Sequence, residues 1–252
     1  MLHDIIATAG SVESWTGLGI KFSPELAKAL EVFEAVKYTE TGHVPTFDLE
    51  KLTAANAEKV IRGLAEQHAL ATVHRDGSGN FSALDLAKRQ VLTAVARKVN
   101  QLASTFIPEA IDQLTPEFDR QAKVYADAVL ALPDEISSDT LVHGGAVVVT
   151  AYGQAQQAAA YLNAVSSWVA STADLGGGGD RATVLRILRP ESASQLSKLT
   201  EAQGRNVNSA LSALSPLLVT AVRLGVPFGI NTLQEAAKLR ESLRPKPQPL
   251  NV

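Results

Sequence analysis

The sequence predicts a mainly α-helical fold, with a small N-terminal module containing one β-hairpin and then a larger multi-helix domain. Three observations carry this. Ser23-Pro24-Glu25 and Thr115-Pro116-Glu117 each supply an N-cap, a proline at the first helical position and an acid in the first turn. From Thr140 to Ala173 there is no Lys, Arg, Asp or Glu, and small or apolar residues recur there at alternating steps of four and three. One segment, Leu70 to Leu84, departs from helical spacing, with β-branched residues on one side of a glycine-containing turn.

Taken in order, residues 1–22 read as an N-terminal arm. Behind Ser23, Leu26, Leu30, Phe33 and Val36 share one helical face. A helix from about Ala83 to Phe106 has its stripe at Leu84, Val91, Val95, Val99, Leu102 and Phe106. Pro108 is expected to stop that helix, and Thr115 to cap the next, which carries Phe118, Tyr125, Val129 and Leu132 and stops before Pro133. Residues 88–175 form the first part of the helical domain. Within it, Val147-Val148-Val149 leaves 141–150 open between strand and helix, whereas 151–171 reads as helix. Gly176 to Gly179, within 176–180, is a flexible joint. Residues 181–244 continue the helical domain. Leu196, Leu199, Val207, Leu211 and Leu214 form its stripe, Ser215-Pro216 starts a new helix or kinks the old one, and Asn231 caps the last helix. The tail at 245–252 is extended because its prolines exclude helix.

Composition bounds the chemistry. The 252 residues are 46% hydrophobic, enough for one large domain or two small ones with a substantial core. There is no cysteine, so disulfides and thiolate catalysis are excluded, and zinc would have to be held by His and carboxylates alone. This fits a reducing compartment, and the expected location is the cytoplasm or a virion. The start, MLHDIIATAG, has Asp4 where a secretory leader has basic residues. The uncharged stretch turns polar after Gly153, with Gln154, Gln156 and Gln157, short of the roughly 20 apolar residues a membrane span needs. The net charge of −3 is uneven: 13 basic against 21 acidic residues in 1–179, then 10 against 5 in 180–252. Such asymmetry suits either an anionic partner or an ordinary solvated basic face.

Residues 24–86 place a helix, a short helical turn at Leu49 to Leu52, a second helix from Asn56 to Gln67 with Val60, Ile61 and Leu64 on its apolar side, and then the hairpin Leu70–Arg75, Asp76–Asn80 and Phe81–Leu84. This order resembles a winged helix-turn-helix domain, spanning 23–87. The resemblance lies in apolar spacing and the hairpin turn. It implies a recognition helix at 56–67 and a wing at 75–80, with Asn56, Lys59, Arg62 and Arg75 as the DNA-contacting candidates. Charge argues against DNA: between 43 and 90, six cations (Lys51, Lys59, Arg62, Arg75, Lys88, Arg89) face six acids (Asp48, Glu50, Glu58, Glu66, Asp76, Asp85). DNA affinity rests on phosphate neutralisation by excess cations. Winged helices also serve as protein-docking modules.

Catalytic motifs are absent. His3, His43, His68, His74 and His143 form no HExxH pair, although His68 and His74 straddle one turn. Gly77-Ser78-Gly79 lacks the flanks of a nucleophile elbow. Asp76, Ser78 and Asn80 begin like a calcium loop, but Phe81 and Ala87 stand where Gly and Glu are required, so Ser82 and Asp85 read instead as a helix cap. Asp180-Arg181 follows the glycines where a P-loop needs Lys then Ser or Thr. Asp134-Glu135 reads as a helix start, and Trp15 and Trp168 as packing anchors.

The leading expectation is a non-enzymatic structural or assembly protein, acting through helix-mediated contacts as a homo-oligomer or part of a larger assembly. A bacteriophage virion component is its most concrete form. The expected contact helix presents Ala151, Ala155, Ala158, Leu162, Val165 and Val169, and no cofactor, metal or membrane is expected. The alternatives are a winged-helix transcription regulator with a helical dimerisation or ligand-sensing domain, and an enzyme whose site has no sequence motif.

Overall fold

The computed structural model describes residues 2–42, 45–76, 79–175 and 182–244. Among them it is mainly helical. The helices are α1 (Leu2–Val12), α2 (Pro24–Lys37), α3 (Ala57–Ala71), α4 (Ala83–Leu130), α5 (Ser138–His143), α6 (Gly145–Leu175), α7 (Ala193–Gly204), α8 (Ser209–Ala213), α9 (Pro216–Arg223) and α10 (Leu233–Ser242). Tighter 3-10 turns occupy Glu13–Leu18 and Leu49–Lys51. No helix among the described residues is long and apolar enough to cross a membrane. The Gly-rich joint at 176–180 and the tail at 245–252 lie outside the described residues.

The chain divides into two compact units, one of residues 1–13 and 22–103 and one of 14–21 and 104–252. The division falls inside α4, not at the 87/88 boundary that the sequence suggests.

In the first unit, the expected N-terminal arm is α1. Its Ala9 and Val12 are buried, as are Leu26, Leu30 and Phe33 of α2 and Ala96, Val99 and Ala103 of α4. Asn100 Nδ2 donates to the Ile5 carbonyl (3.1 Å), joining α4 to α1. Ser23 caps α2 as its sequence predicts, its Oγ accepting from the Leu26 N–H (3.3 Å). Two four-residue strands, β1 (Val73–Asp76) and β2 (Gly79–Ser82), pair antiparallel, with Val73 opposite Ser82 and Asp76 opposite Gly79. α4 then starts from a reciprocal cap. Ser82 Oγ accepts from the Asp85 N–H (3.1 Å), and Asp85 Oδ2 accepts from the Ser82 N–H (2.8 Å). Thr41 donates to the other Asp85 oxygen. That bond, with those from Ser82, holds the Asp85 carboxyl below its ordinary range.

In the second unit, Pro108 and Pro116 both sit inside α4, so neither expected break occurs. An interior proline costs about 3 kcal/mol by losing one N–H and crowding the carbonyl four residues back. Here Pro108, Pro116 and the residues four before them, Ser104 and Asp112, are all exposed, so water can serve the freed carbonyls. On the other side of the helix Phe106, Ala110, Leu114 and Phe118 are buried. At about 1.5–3 kcal/mol for each large side chain, that burial is of the same size as the proline cost and offsets it. Thr115 caps nothing and donates to the Ile111 carbonyl (2.8 Å). α4 does end three residues before Pro133.

The open segment 141–150 is helical on both sides of a break. Ser137 and Thr140 form a capping box for α5, and Gly145, at φ +72°, starts α6. A side chain at Gly144 would meet Val148 at 2.7 Å, so the break needs both glycines. The buried residues of α6 from Ala151 onward carry the helix, and the exposed Val147 and Val149 follow it despite their strand preference.

Past the joint, α7 is capped by Ser192, and α9 is a separate helix entered through Ser215 at φ +64°. The last helix corrects the sequence reading by one residue: Thr232, in a capping box with Glu235, caps α10. Asn231 is buried instead. Its Nδ2 donates to the carbonyls of Leu185 (2.7 Å) and Leu188 (3.2 Å), and its Oδ1 accepts from Arg189 Nε (2.8 Å). A side chain at Gly229 would lie 2.6 Å from the same Arg189 Nε.

Candidate functional site

The six residues expected to form a contact helix do share one face of α6, and all six are buried within the folded chain. Trp168 on the same helix packs edge-on against Trp15, with centroids 5.6 Å apart and planes at 84°. The face that the sequence offers to a partner is therefore already covered by the protein itself. This is the main correction to the site reading. A long uncharged run signals burial, but it does not say whose surface does the burying.

The DNA-contacting candidates are only partly brought together. Asn56 uses its amide locally, Oδ1 accepting from the Thr53 N–H (2.8 Å) and Nδ2 donating to the Lys51 carbonyl (2.8 Å). Arg62 pairs with Glu58 one turn back (2.8 Å). Lys51 pairs with Asp48 (2.9 Å), and this contact heads the causes that lower the Asp48 carboxyl below its ordinary range. Lys59 is exposed on α3. Arg75 lies on β1, and its side chain falls outside the described residues.

Sequence reasoning missed what surrounds these residues. No residue of α3 is buried. Ile61, expected on a covered apolar side, is 68% exposed, and Leu70 is also exposed. In the preceding segment Phe47, Leu52 and Leu49 are exposed, Leu49 to 71%. The Thr46 N–H donates to Gln67 Oε1 (3.0 Å), which ties this segment to α3. A signal was available, since α3 alternates apolar and charged residues while little nearby sequence is apolar enough to cover it. Elsewhere in this unit, a groove of about 600 Å3 runs between α2 and α4, floored by Ala29, Val32, Ala94, Val95 and Leu102 and edged by Glu25, Lys28 and Lys98.

A second open surface lies where α4 ends and α6 begins. Leu130 is 70% exposed, Val142 74% and Val147 77%, and Val149 is exposed as well. Two grooves flank the first turns of α6. One, of about 570 Å3, lies against the end of α4, with Val124, Ala128, Ala131, Val147 and Thr150 in its walls. The other, of about 420 Å3, lies toward α5 and α8, with Leu141, Val142, Val149, Tyr152 and Ala210 in its walls. Two of the polar groups beside them bond within the chain. Thr150 Oγ1 donates to the Ala146 carbonyl (2.8 Å) and the Tyr152 hydroxyl to the Ala210 carbonyl (3.0 Å).

Among the described residues, no three His, Cys, Asp or Glu side chains cluster as metal ligands would. His68 is exposed, and His143 is exposed with Nδ1 against the Asp139 carbonyl (2.7 Å). His43, residues 77–78, the 176–179 glycines and the side chains of His3, His74, Asp76 and Asn80 lie outside the described residues. Two ionisable groups elsewhere are strongly shifted. Arg120 grips Glu117 with two bonds (2.6 and 2.7 Å), and with Gln121 holds its carboxyl at about 2. Burial pushes the Tyr125 phenol up, and its hydroxyl donates to the Leu214 carbonyl (2.7 Å). The first interaction lies within α4, and the second ties α4 to the end of α8.

No protein-family model matches this chain, and comparison with curated proteins and with solved structures gives no match.

Proposed function

We propose that the chain is a non-enzymatic assembly protein that works by protein–protein contact, with residues 45–82 as a docking module. The observation that carries this reading is α3. It buries none of its residues and leaves Ile61 and Leu70, with Phe47, Leu49 and Leu52 before it, open to solvent. Three of these, Phe47, Leu49 and Leu52, fall within one six-residue segment, and large apolar side chains gathered on a surface mark interaction sites. The absence of excess positive charge in this stretch suits a protein partner better than a polyanion.

The order of helix, short turn, helix and paired strands favours a second reading, a winged-helix module that grips duplex DNA through α3. Against it stand the local use of Asn56 and the pairing of Arg62 with Glu58. Fluorescence anisotropy of a labelled random-sequence duplex, titrated with the full chain at low and then moderate salt, separates the two. The docking reading expects no saturable binding at low salt. Saturable binding with a steep salt slope overturns it in favour of DNA.

A further inference from the structure

We infer that the groove between the end of α4 and the start of α6 receives an amphipathic helix of another protein, apolar on the side that enters the groove and basic where it meets the acids around the end of α4. The shape comes first. One wall carries Val124, Ala128 and Ala131, and the other Val147, Ala151 and Gln154. Each row steps by four residues and then three, so each is one face of its helix. Two such rows side by side leave a channel that a third helix can fill. The channel holds about 570 Å3, and Val147 in its wall and Leu130 at the end of α4 are both largely exposed. Laying an apolar helix face into such a groove is a recurring way of binding a helical segment.

Charge selects the occupant. From Val124 to Leu175 the chain has five acids and no Lys or Arg. Four of the acids are exposed around the groove and the turn that follows it: Asp127 in the α4 wall, Asp134 and Glu135 in the connection after α4, and Asp139 on α5. Among the described residues none of these four side chains takes an ion pair or a hydrogen bond. Lys123 stands one turn before Asp127, and Arg223 Nη2 donates to the Pro133 carbonyl (2.9 Å). Neither cation pairs with the four acids, and negative charge stays in excess.

A helix that is neutral or acidic on this side would cover Asp127 without giving it a partner, and a carboxylate buried unpaired is costly. A Lys or Arg at that position removes the cost and fixes the direction in which the helix lies. The groove of similar size between α2 and α4 lacks this selectivity, since Lys28 and Lys98 share its edges with Glu25. The inference does not use the docking module at 45–82, so either reading can fail without the other.

Fluorescence anisotropy with two labelled peptides of about 14 residues, roughly four helical turns, tests it on the full chain. Both peptides carry leucines three and four positions apart, and the flanking positions hold lysines in one and glutamates in the other. The expected result is saturable binding of the lysine peptide, about tenfold or more tighter than that of the glutamate peptide. Val147→Ser should weaken the lysine peptide about tenfold. Asp127→Lys should weaken the lysine peptide and strengthen the glutamate peptide, a reversal that misfolding does not produce. Val32→Ser, in the other groove, should change neither. No saturable binding of the lysine peptide, equal binding of the two, or binding indifferent to Val147→Ser and Asp127→Lys overturns the inference. So does a wild-type mass by light scattering that doubles with concentration when that of Val147→Ser does not, because a second copy then fills the groove.

Discussion

α3 and α6 are both helices with an apolar side, yet α6 buries ten residues and α3 buries none. The sequence points the other way. α3 alternates apolar and charged positions in the manner of a surface helix resting on a core. α6 carries no charge through most of its length, in the manner of a helix awaiting a partner. The difference lies in what surrounds each one. α6 has α5 and α10 against it and Trp15 beside Trp168, so its small residues are enclosed at close range. α3 has a short turn before it and two four-residue strands after it, too little apolar surface to cover Ile61 and Leu70. Amphipathicity tells which side of a helix is apolar, and the availability of neighbours decides whether that side is covered.

This contrast can be broken by measurement. The largest expected effect is at the centre of the α6 stripe. Leu162→Ala should lower unfolding stability by about 3 kcal/mol in a urea titration, because a fully buried leucine leaves a cavity. A loss near zero would mean that the stripe is not enclosed. Next, Asn231→Ala should cost about 2 kcal/mol by the same measurement, since it strands the carbonyls of Leu185 and Leu188. In α3, Ile61→Ala should change stability by no more than about 0.5 kcal/mol, as expected of an exposed position. A cost near that of Leu162 would show that α3 packs against something after all.

The smallest effect concerns charge. Glu117 has its folded-state pKa lowered from 4.5 to about 2, chiefly by Arg120. A lowered folded value stabilises the protein above the unfolded pKa, and this contribution fades as pH falls from 4.5 through about 2. The pair is exposed, so solvent keeps the effect small. Arg120→Ala should return the Glu117 titration toward 4.5, read by NMR of the carboxyl carbon.

Much of the helical architecture was legible from local chemistry. Ser23 caps α2 and Ser82 with Asp85 starts α4, because a side-chain oxygen at the right offset satisfies free N–H groups without help from the rest of the fold. Elements that depend on distant residues were not legible. Whether Pro108 and Pro116 break a helix depends on the burial of Phe106, Leu114 and Phe118 behind them. Whether Asn231 caps a helix or holds a loop depends on carbonyls more than forty positions earlier. For the contact surface the sequence singled out α6 and its buried stripe. Finding the open surfaces at α3 and where α4 ends and α6 begins required knowing which neighbours were present.

The bonds of Asn231 also govern how the protein can be trimmed. A shortened chain that ends before Ile230 forfeits the amide serving the 185–188 loop and the carbonyl that receives Arg189 Nη2 (2.9 Å). Arg189 would then be left without either acceptor. Deletions, fusions and affinity handles at the C-terminal end are therefore best placed beyond α10, so that residues 229–231 remain as the clasp for a segment encoded far upstream.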